Sequence, residues 1–244
     1  MSIGKGSLFS QTADSPCNCV SWTVKGVTGE KRPISGLGTI PDCTYFKGII
    51  VIDSPTVWNQ LSIRMETGSS IEVRSTLSIE ESNIGTCDDL WEGIYTVGDS
   101  CFVDCNNSII RGANIAIRLN DRAVYQIQKS QFVDNYIGIA TGSPFEEDPL
   151  DIVVYPKQKV IFGCQFYTAT QLPDPYVGHY YYPAWPSTPG IPFNQGYAGV
   201  YIVGASGWDI GKLNPGNRER NLIYNMRNGI VVKGSVTKIL GTDF

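Results

Sequence analysis

Three places in the chain hold residues suited to chemistry. Asp88 and Asp89 are adjacent carboxylates, with Glu92 close behind and Arg111 further along. Sugar hydrolysis needs two or three closely set carboxylates. Eliminative cleavage needs Ca2+-binding acids with an Arg or Lys base. These four residues are the catalytic candidates, although an acidic turn entering a strand explains the Asp pair more simply. The second place is "FEEDPLD", Phe145 to Asp151, where Glu146, Glu147, Asp148 and Asp151 could hold Ca2+. They lack the regular alternation of a dedicated calcium loop, so a solvated turn is the expected role, and no other cofactor is implied.

The third place is "YTATQLPDPYVGHYYYPAWPSTPGIPFNQGY", Tyr167 to Tyr197. Within it Tyr176, His179, Tyr180, Tyr181, Tyr182 and Trp185 are binding candidates, in a loop stiffened by six prolines. Rigid aromatic rings stack on sugars or grip a protein partner at small entropic cost. The competing role is to fold back and cover the side of the domain. His179 is the only histidine, and no acid in the sequence matches it, so catalysis by it is not expected.

What positions these groups follows from composition and repeat. The chain has 244 residues, 17% charged and 42% apolar, with 26 Gly, 14 Pro and 13 Tyr. Few charges among many strand and turn formers indicate an all-β globular chain. A net charge of −4 without a basic run argues against nucleic acid as a partner. The longest apolar run, "GIIVI" at 48–52, is far too short to span a membrane. The first sixteen residues show no apolar signal core. Seven cysteines leave at least one thiol free or paired outside the chain. Cys87 and Cys101 are candidates to pair, and Cys17, Cys19 and Cys43 could supply one disulfide. Without a suitably placed histidine, they are a weak zinc signal.

A template recurs through the chain. "IEESNI" (Ile79 to Ile84), "CNNSII" (Cys105 to Ile110), "IQKSQF" (Ile127 to Phe132), "IFGCQF" (Ile161 to Phe166) and "ILGTDF" (Ile239 to Phe244) share an order. An apolar residue comes first, a small polar or thiol residue three later, and Ile or Phe five later; "NLI" at Asn221 to Ile223 keeps the end. A second beat follows, a small residue before a β-branched one: Gly93-Ile94, Ala116-Ile117, Gly138-Ile139, Gly199-Val200 and Gly229-Ile230. Successive Ile/Phe slots lie 26, 22, 34, 57 and 21 residues apart, so the basic period is about 22 with inserted loops. That is too short for a strand and crossover helix, and long enough for three short strands with turns. The expected fold is a parallel β-helix, with slot residues stacked inward in columns and Cys105 and Cys164 buried among them. Gly or Ala avoids crowding the next coil at a bend, and Asn114, Asn135 and Asn228 fall in the bends, where Asn tolerates left-handed backbone and can bond to neighbouring backbone. A β-sandwich of hairpins would show strict alternation with Asn-Gly turns instead.

The stretch "TLSIEESNIGTCDDLWEGIYTVGDS", with "NNSIIRGANIAI" and "SQFVDNYIGI", resembles right-handed parallel β-helix proteins of the pectin-lyase-like superfamily. The nearest likeness is to repeat regions of large secreted Bacteroidota proteins of the type IX export kind. There a "C-x-x-x-W-x-G-I" step precedes the coils; here it is Cys87, Trp91, Gly93 and Ile94. The similarity covers roughly residues 45–244, with 1–44 as an N-terminal cap or lead-in. The resemblance implies an extracellular or cell-surface location. Phe244 stands on a slot where earlier copies continue, so a piece of a longer polypeptide is expected. The expected function is a non-catalytic structural or adhesive module that contacts polysaccharide or a surface protein. The alternative is a polysaccharide lyase or glycoside hydrolase on the same scaffold.

Overall fold

The computed structural model describes residues 17–87, 89–98, 101–119, 123–141, 153–154, 159–170, 172, 196–203, 205–206, 208–211, 219–235 and 237–244. Its organising strand is the β-branched run Thr44–Ile52. The first part of this strand pairs with Ser62–Met65 and the second with Ser70–Val73, so two limbs of one sheet spread from it. The first limb starts with Ser70–Val73 and continues through Gly93–Thr96, Ile115–Leu119, Ile137–Thr141 and Gly196–Val203 to Met226–Lys233. The second starts with Ser62–Met65 and runs through Asn83–Gly85, Ile109–Arg111, Gln131–Val133, Gln165–Tyr167 and Asn221–Tyr224 to Thr242–Asp243. A separate sheet, the third sheet when each limb is counted as one, contains Thr56–Asn59, Thr76–Glu80, Phe102–Asn106, Val124–Gln128, Lys159–Phe162, Trp208–Ile210 and Thr237–Ile239. Thr23–Pro33 lies parallel against Thr44–Ile52, and Val153–Val154 pairs with Ala205–Ser206.

Each winding visits the second limb, the first limb and the third sheet in that order, and every pairing among the described residues is parallel. The chain is therefore all-β, with parallel strands in stacked sheets, an architecture consistent with a β-helix solenoid. No antiparallel hairpin of the kind a sandwich needs occurs among these residues.

Register carries the sequence template directly into space. Ile63, Ile84, Ile110, Phe132, Phe166 and Ile223 pair in one column. Ile71, Ile94, Ile117, Ile139, Val200 and Ile230 pair in a second. Trp58, Ile79, Cys105, Ile127, Ile161, Ile210 and Ile239 form the third. Most of these side chains are fully buried, each contributing about 1.5–3 kcal/mol. Phe132 and Phe166 stack with centroids 4.8 Å apart and planes 10° from parallel. Gly138 faces this stack: a Cβ there would come within 2.5 Å of both Phe166 Cδ1 and the Gly199 oxygen. The expected crowding against the next winding is what keeps this position small.

The turns carry a ladder of their own. Gln60, Glu81, Asn107 and Lys129 have φ of 55°, 47°, 48° and 50°. Such left-handed residues cost about 1–2 kcal/mol each outside glycine. The cost is offset by bonds to the next winding: Glu81 N–H to Asn106 O, Asn107 N–H to Gln128 O and Lys129 N–H to Phe162 O, all 3.0–3.1 Å. The small residue that follows completes the ladder. Leu61, Ser82 and Ser108 N–H donate to the hydroxyls of Ser82, Ser108 and Ser130 at 3.0, 3.1 and 3.2 Å. Those hydroxyls lie in turn within reach of carbonyls of the preceding winding.

Two expectations need correction. At the other bend the left-handed residues are Asp134 and Asn225, while Asn114, Asn135 and Asn228 keep negative φ. The expected bonding to neighbouring backbone does hold: Asn135 accepts from Ala113 N–H at 2.8 Å and donates to Ile110 O at 2.9 Å. The cysteines need the second correction: Cys87 pairs with Cys17 and not with Cys101, while Cys19–Cys43 is the one disulfide expected among Cys17, Cys19 and Cys43. Cys101 is a buried thiol, its Sγ 3.1 Å from the Val73 oxygen. Cys105 and Cys164 are buried thiols as expected, and burial pushes the Cys105 pKa up to about 12.

The packing sets a stability test. Phe166→Ala should cost about 3–5 kcal/mol by opening the stack, and Gly138→Ala about 1–3 kcal/mol by overfilling it. Urea denaturation monitored by circular dichroism measures both, and a neutral Gly138→Ala would refute the close approach.

Candidate functional site

Because the inward columns are fixed, the residue after each column position points away from the main core, although some of these, Val133, Ala140 and Tyr201 among them, are themselves buried. Following the Ile/Phe slots of the second limb gives Arg64, Gly85, Arg111, Val133, Tyr167 and Tyr224, all in register, with Tyr45 paired to Arg64. The Arg64 guanidinium carbon lies 5.1 Å from the Tyr45 ring centre and 5.9 Å from that of Trp22. Trp22 itself meets Tyr45 edge-on at 6.4 Å. Arg111 lies across Gly85, where a Cβ would come 2.2 Å from its Cγ. Tyr167 and Tyr224 stack at 4.9 Å, nearly parallel, and Tyr167 donates to Gln131 Oε1 at 3.0 Å. Burial, then the neighbouring Tyr224 and Asp134, raise the Tyr167 pKa against the opposing charge of Arg111.

The same rule on the first limb gives Glu72, Tyr95 and Arg118, after Ile71, Ile94 and Ile117. The Glu72 side chain is only 2% exposed. It accepts from Lys31 Nζ at 2.8 Å, Tyr95 Oη at 2.9 Å and Arg74 Nε at 2.5 Å. Burial works against its charge, but these donors outweigh it and hold the carboxyl below its ordinary value. Tyr95 responds oppositely: burial and the Glu72 carboxylate push it up to about 12. The cluster joins Thr23–Pro33 to the next windings.

The third sheet is acidic. Ser78 Oγ lies 3.4 Å from Glu80 Oε1 and 3.5 Å from Asp104 Oδ2, and Asp209 follows in the Asp104 column. Burial and the Glu80 charge raise the Asp104 carboxyl, with Ser78 opposing. Asp104 Oδ1 is buried with no hydrogen-bond partner.

Of the catalytic candidates, Asp89 is exposed in a turn, and Glu92 is exposed and accepts from Asn114 Nδ2 at 3.1 Å. Arg111 stands with Tyr167 on the second limb. Asp88 lies outside the described residues, as do Glu146, Glu147, Asp148 and Asp151. So do Tyr176, His179, Tyr180, Tyr181, Tyr182 and Trp185. Among the described residues no group of three or more His, Cys, Asp or Glu could hold a metal ion. No helix among them is long and apolar enough to cross a membrane.

The outward columns were not singled out in the sequence, though the signal is there: each outward residue directly follows a slot. Comparison with protein-family models, curated proteins and solved structures gave no match.

The Glu72 cluster makes a pH prediction. A carboxyl with a lowered folded pKa adds stability that is full above its ordinary value of 4.5 and is lost as pH falls through the lower folded value. Glu72→Gln should cost about 1–3 kcal/mol at neutral pH and flatten the acid limb of a stability-versus-pH curve. An unchanged acid limb would show that the carboxylate is not held in this way.

Proposed function

We propose that this chain is a stiff, non-catalytic module of a secreted or cell-surface protein, whose outer faces contact a glycan or a protein partner. The observation that carries the reading is the unbroken register of the apolar columns, which fixes outward residues as rows on three sheets. Two disulfides near the N-terminal side fit an oxidising location. We read the solenoid as right-handed, with a basic coil of about 22 residues as in the Ile110–Phe132 step. We also read it as related to the pectin-lyase-like repeat regions of exported Bacteroidota proteins. The loop at 167–197 supplies a second contact surface in this reading.

One observation favours the enzymatic alternative, a polysaccharide lyase or glycoside hydrolase. Asp104 and Glu80 flank Ser78, and the raised pKa of Asp104 suits a proton donor. A panel of plant, bacterial and animal polysaccharides separates the two. Retention on immobilised glycan without release of reducing ends or unsaturated products is expected. Turnover abolished by Asp104→Asn would replace the adhesive reading with the enzymatic one. Weakened retention in Trp185→Ala would assign part of the contact to the loop.

A further inference from the structure

The first four strands of the third sheet run into the same kind of turn: Asn59-Gln60-Leu61, Glu80-Glu81-Ser82, Asn106-Asn107-Ser108 and Gln128-Lys129-Ser130. Their first residues pair in register. Only the third copy sets Asn two residues before Ser, and no other asparagine of the chain has Ser or Thr two positions on. Asn-x-Ser, with x other than Pro, is the acceptor signal for an N-linked oligosaccharide. The fold explains the serine, since Ser82 and Ser130 serve the same ladder. It does not explain the asparagine. Asn106 alternates with buried Cys105 and so faces outward, half-buried, between Glu80 and Gln128 of the adjacent windings. Its side-chain amide makes no hydrogen bond among the described residues.

The two parts of the signal are accessible at different times. In the folded chain the Asn106 amide is open, but Ser108 is fully buried. The Ser108 hydroxyl accepts from Ser82 N–H at 3.1 Å and lies 2.8 Å from Asn106 O and 3.2 Å from Ile79 O. From the next winding, Gln128 O accepts from Asn107 N–H at 3.1 Å and Ser130 Oγ from Ser108 N–H at 3.2 Å. A transferase must reach that hydroxyl while it presents the amide to the sugar donor. The amide needs this help, because its lone pair is delocalised into the carbonyl. Transfer therefore precedes closure of the following winding. Once made, the modification is compatible with the fold, because the side chain that carries it points away from the core.

We propose that Asn106 is a modification site that receives an N-linked oligosaccharide from a lipid diphosphate donor before residues 124–130 close over its turn. The amide nitrogen attacks the anomeric carbon of the first sugar and forms a C–N bond. The C–O bond to the diphosphate breaks, the lipid diphosphate leaves with the electron pair, and the amide proton passes to a base of the transferase. The site rests on the exported location read above. A bulky, solubilising sugar there stands beside Glu80, Asp104 and Gln128, so contact with a partner falls to the two limbs.

The test begins with the full chain recovered from its native source. The peptide containing Asn106 is measured by mass spectrometry before and after a peptide N-glycanase in heavy-oxygen water, which converts a glycosylated asparagine to labelled aspartate. The expected result is loss of the oligosaccharide mass with gain of the label at this position. Both signals disappear in Asn106→Gln and Ser108→Ala and persist in Asn59→Gln, its partner two windings below. Asn106→Gln, at an outward side chain, keeps the test open should Ser108→Ala unsettle the ladder. In a second arm, an oligosaccharyltransferase with its lipid-linked donor acts on the folded chain and on chain reduced and alkylated throughout. Blocking the buried Cys105 and Cys164 prevents the latter from refolding. Transfer is expected to the alkylated chain and lost in the folded one. Equal transfer to both would overturn the order of events, and none to the alkylated chain would overturn the acceptor. A bare Asn106 in exported chain would remove this site while leaving the surface-module reading standing. A bare Asn106 in chain confined to the cell interior would remove both.

Discussion

Parallel pairing without slip between windings is the constraint on which everything else rests. In a strand the side chains alternate between faces, so a shift of one residue would send the buried column to solvent and the outward row into the core. The slot columns resist this by burial, and the turns resist it by geometry. Each left-handed residue before the small position points its N–H at the next winding, and the serine hydroxyls close the remaining polar groups. A slip would lose the apolar columns and this ladder together, which ties the two layers of interaction into one cooperative restraint.

The chemistry of the surface is a by-product of that restraint. Once the inward residue is fixed, its neighbour is fixed outward, and one sequence position becomes a row across many windings. The rows differ because many outward positions are free of the main core's demand for apolar side chains, while Ala140 and Tyr201 on the first limb belong to a second buried apolar cluster. One carries arginine and tyrosine, another the buried Glu72 with its donors, and the third carries acids. Glu72 illustrates how such a row can serve the fold. Its three donors come from Thr23–Pro33, from the residue next to its own strand, and from the following winding, so a polar cluster extends the stacking where apolar burial thins out at the edge strand.

The N-terminal segment is secured by covalent as well as electrostatic links. Cys17 reaches Cys87 and Cys19 reaches Cys43, bridging 70 and 24 residues of sequence. Constraining loops of this size in the unfolded chain favours the folded state. Between these anchors and Thr23–Pro33 lies Trp22, which braces Arg64. The lead-in is therefore continuous with the outward row of the second limb.

Much of the fold was legible in the sequence because a solenoid repeats its demands. The Ile/Phe slot, the small residue before it and the Gly-Ile beat each recur, and each is a column in the structure. The first windings were harder to read, since Trp58 and Ile63 fill the slots there without the serine between them. Disulfide partners were legible only in part: one bridge among Cys17, Cys19 and Cys43 was expected and is Cys19–Cys43, whereas Cys17–Cys87 was not. Cys17 and Cys87 are far apart in the chain, and only folding brings their α-carbons to 5.5 Å. The outward row was legible in part too: the repeat stacks the slots before Arg111 and Tyr167, but the slot before Arg64 lacks the template and only the structure adds it to the column. Residue order alone determined which side chains face the core, because alternation is a property of a single strand. Which of the remaining side chains meet was decided by the tertiary structure, because pairing between windings depends on where the chain turns and how many residues each loop inserts.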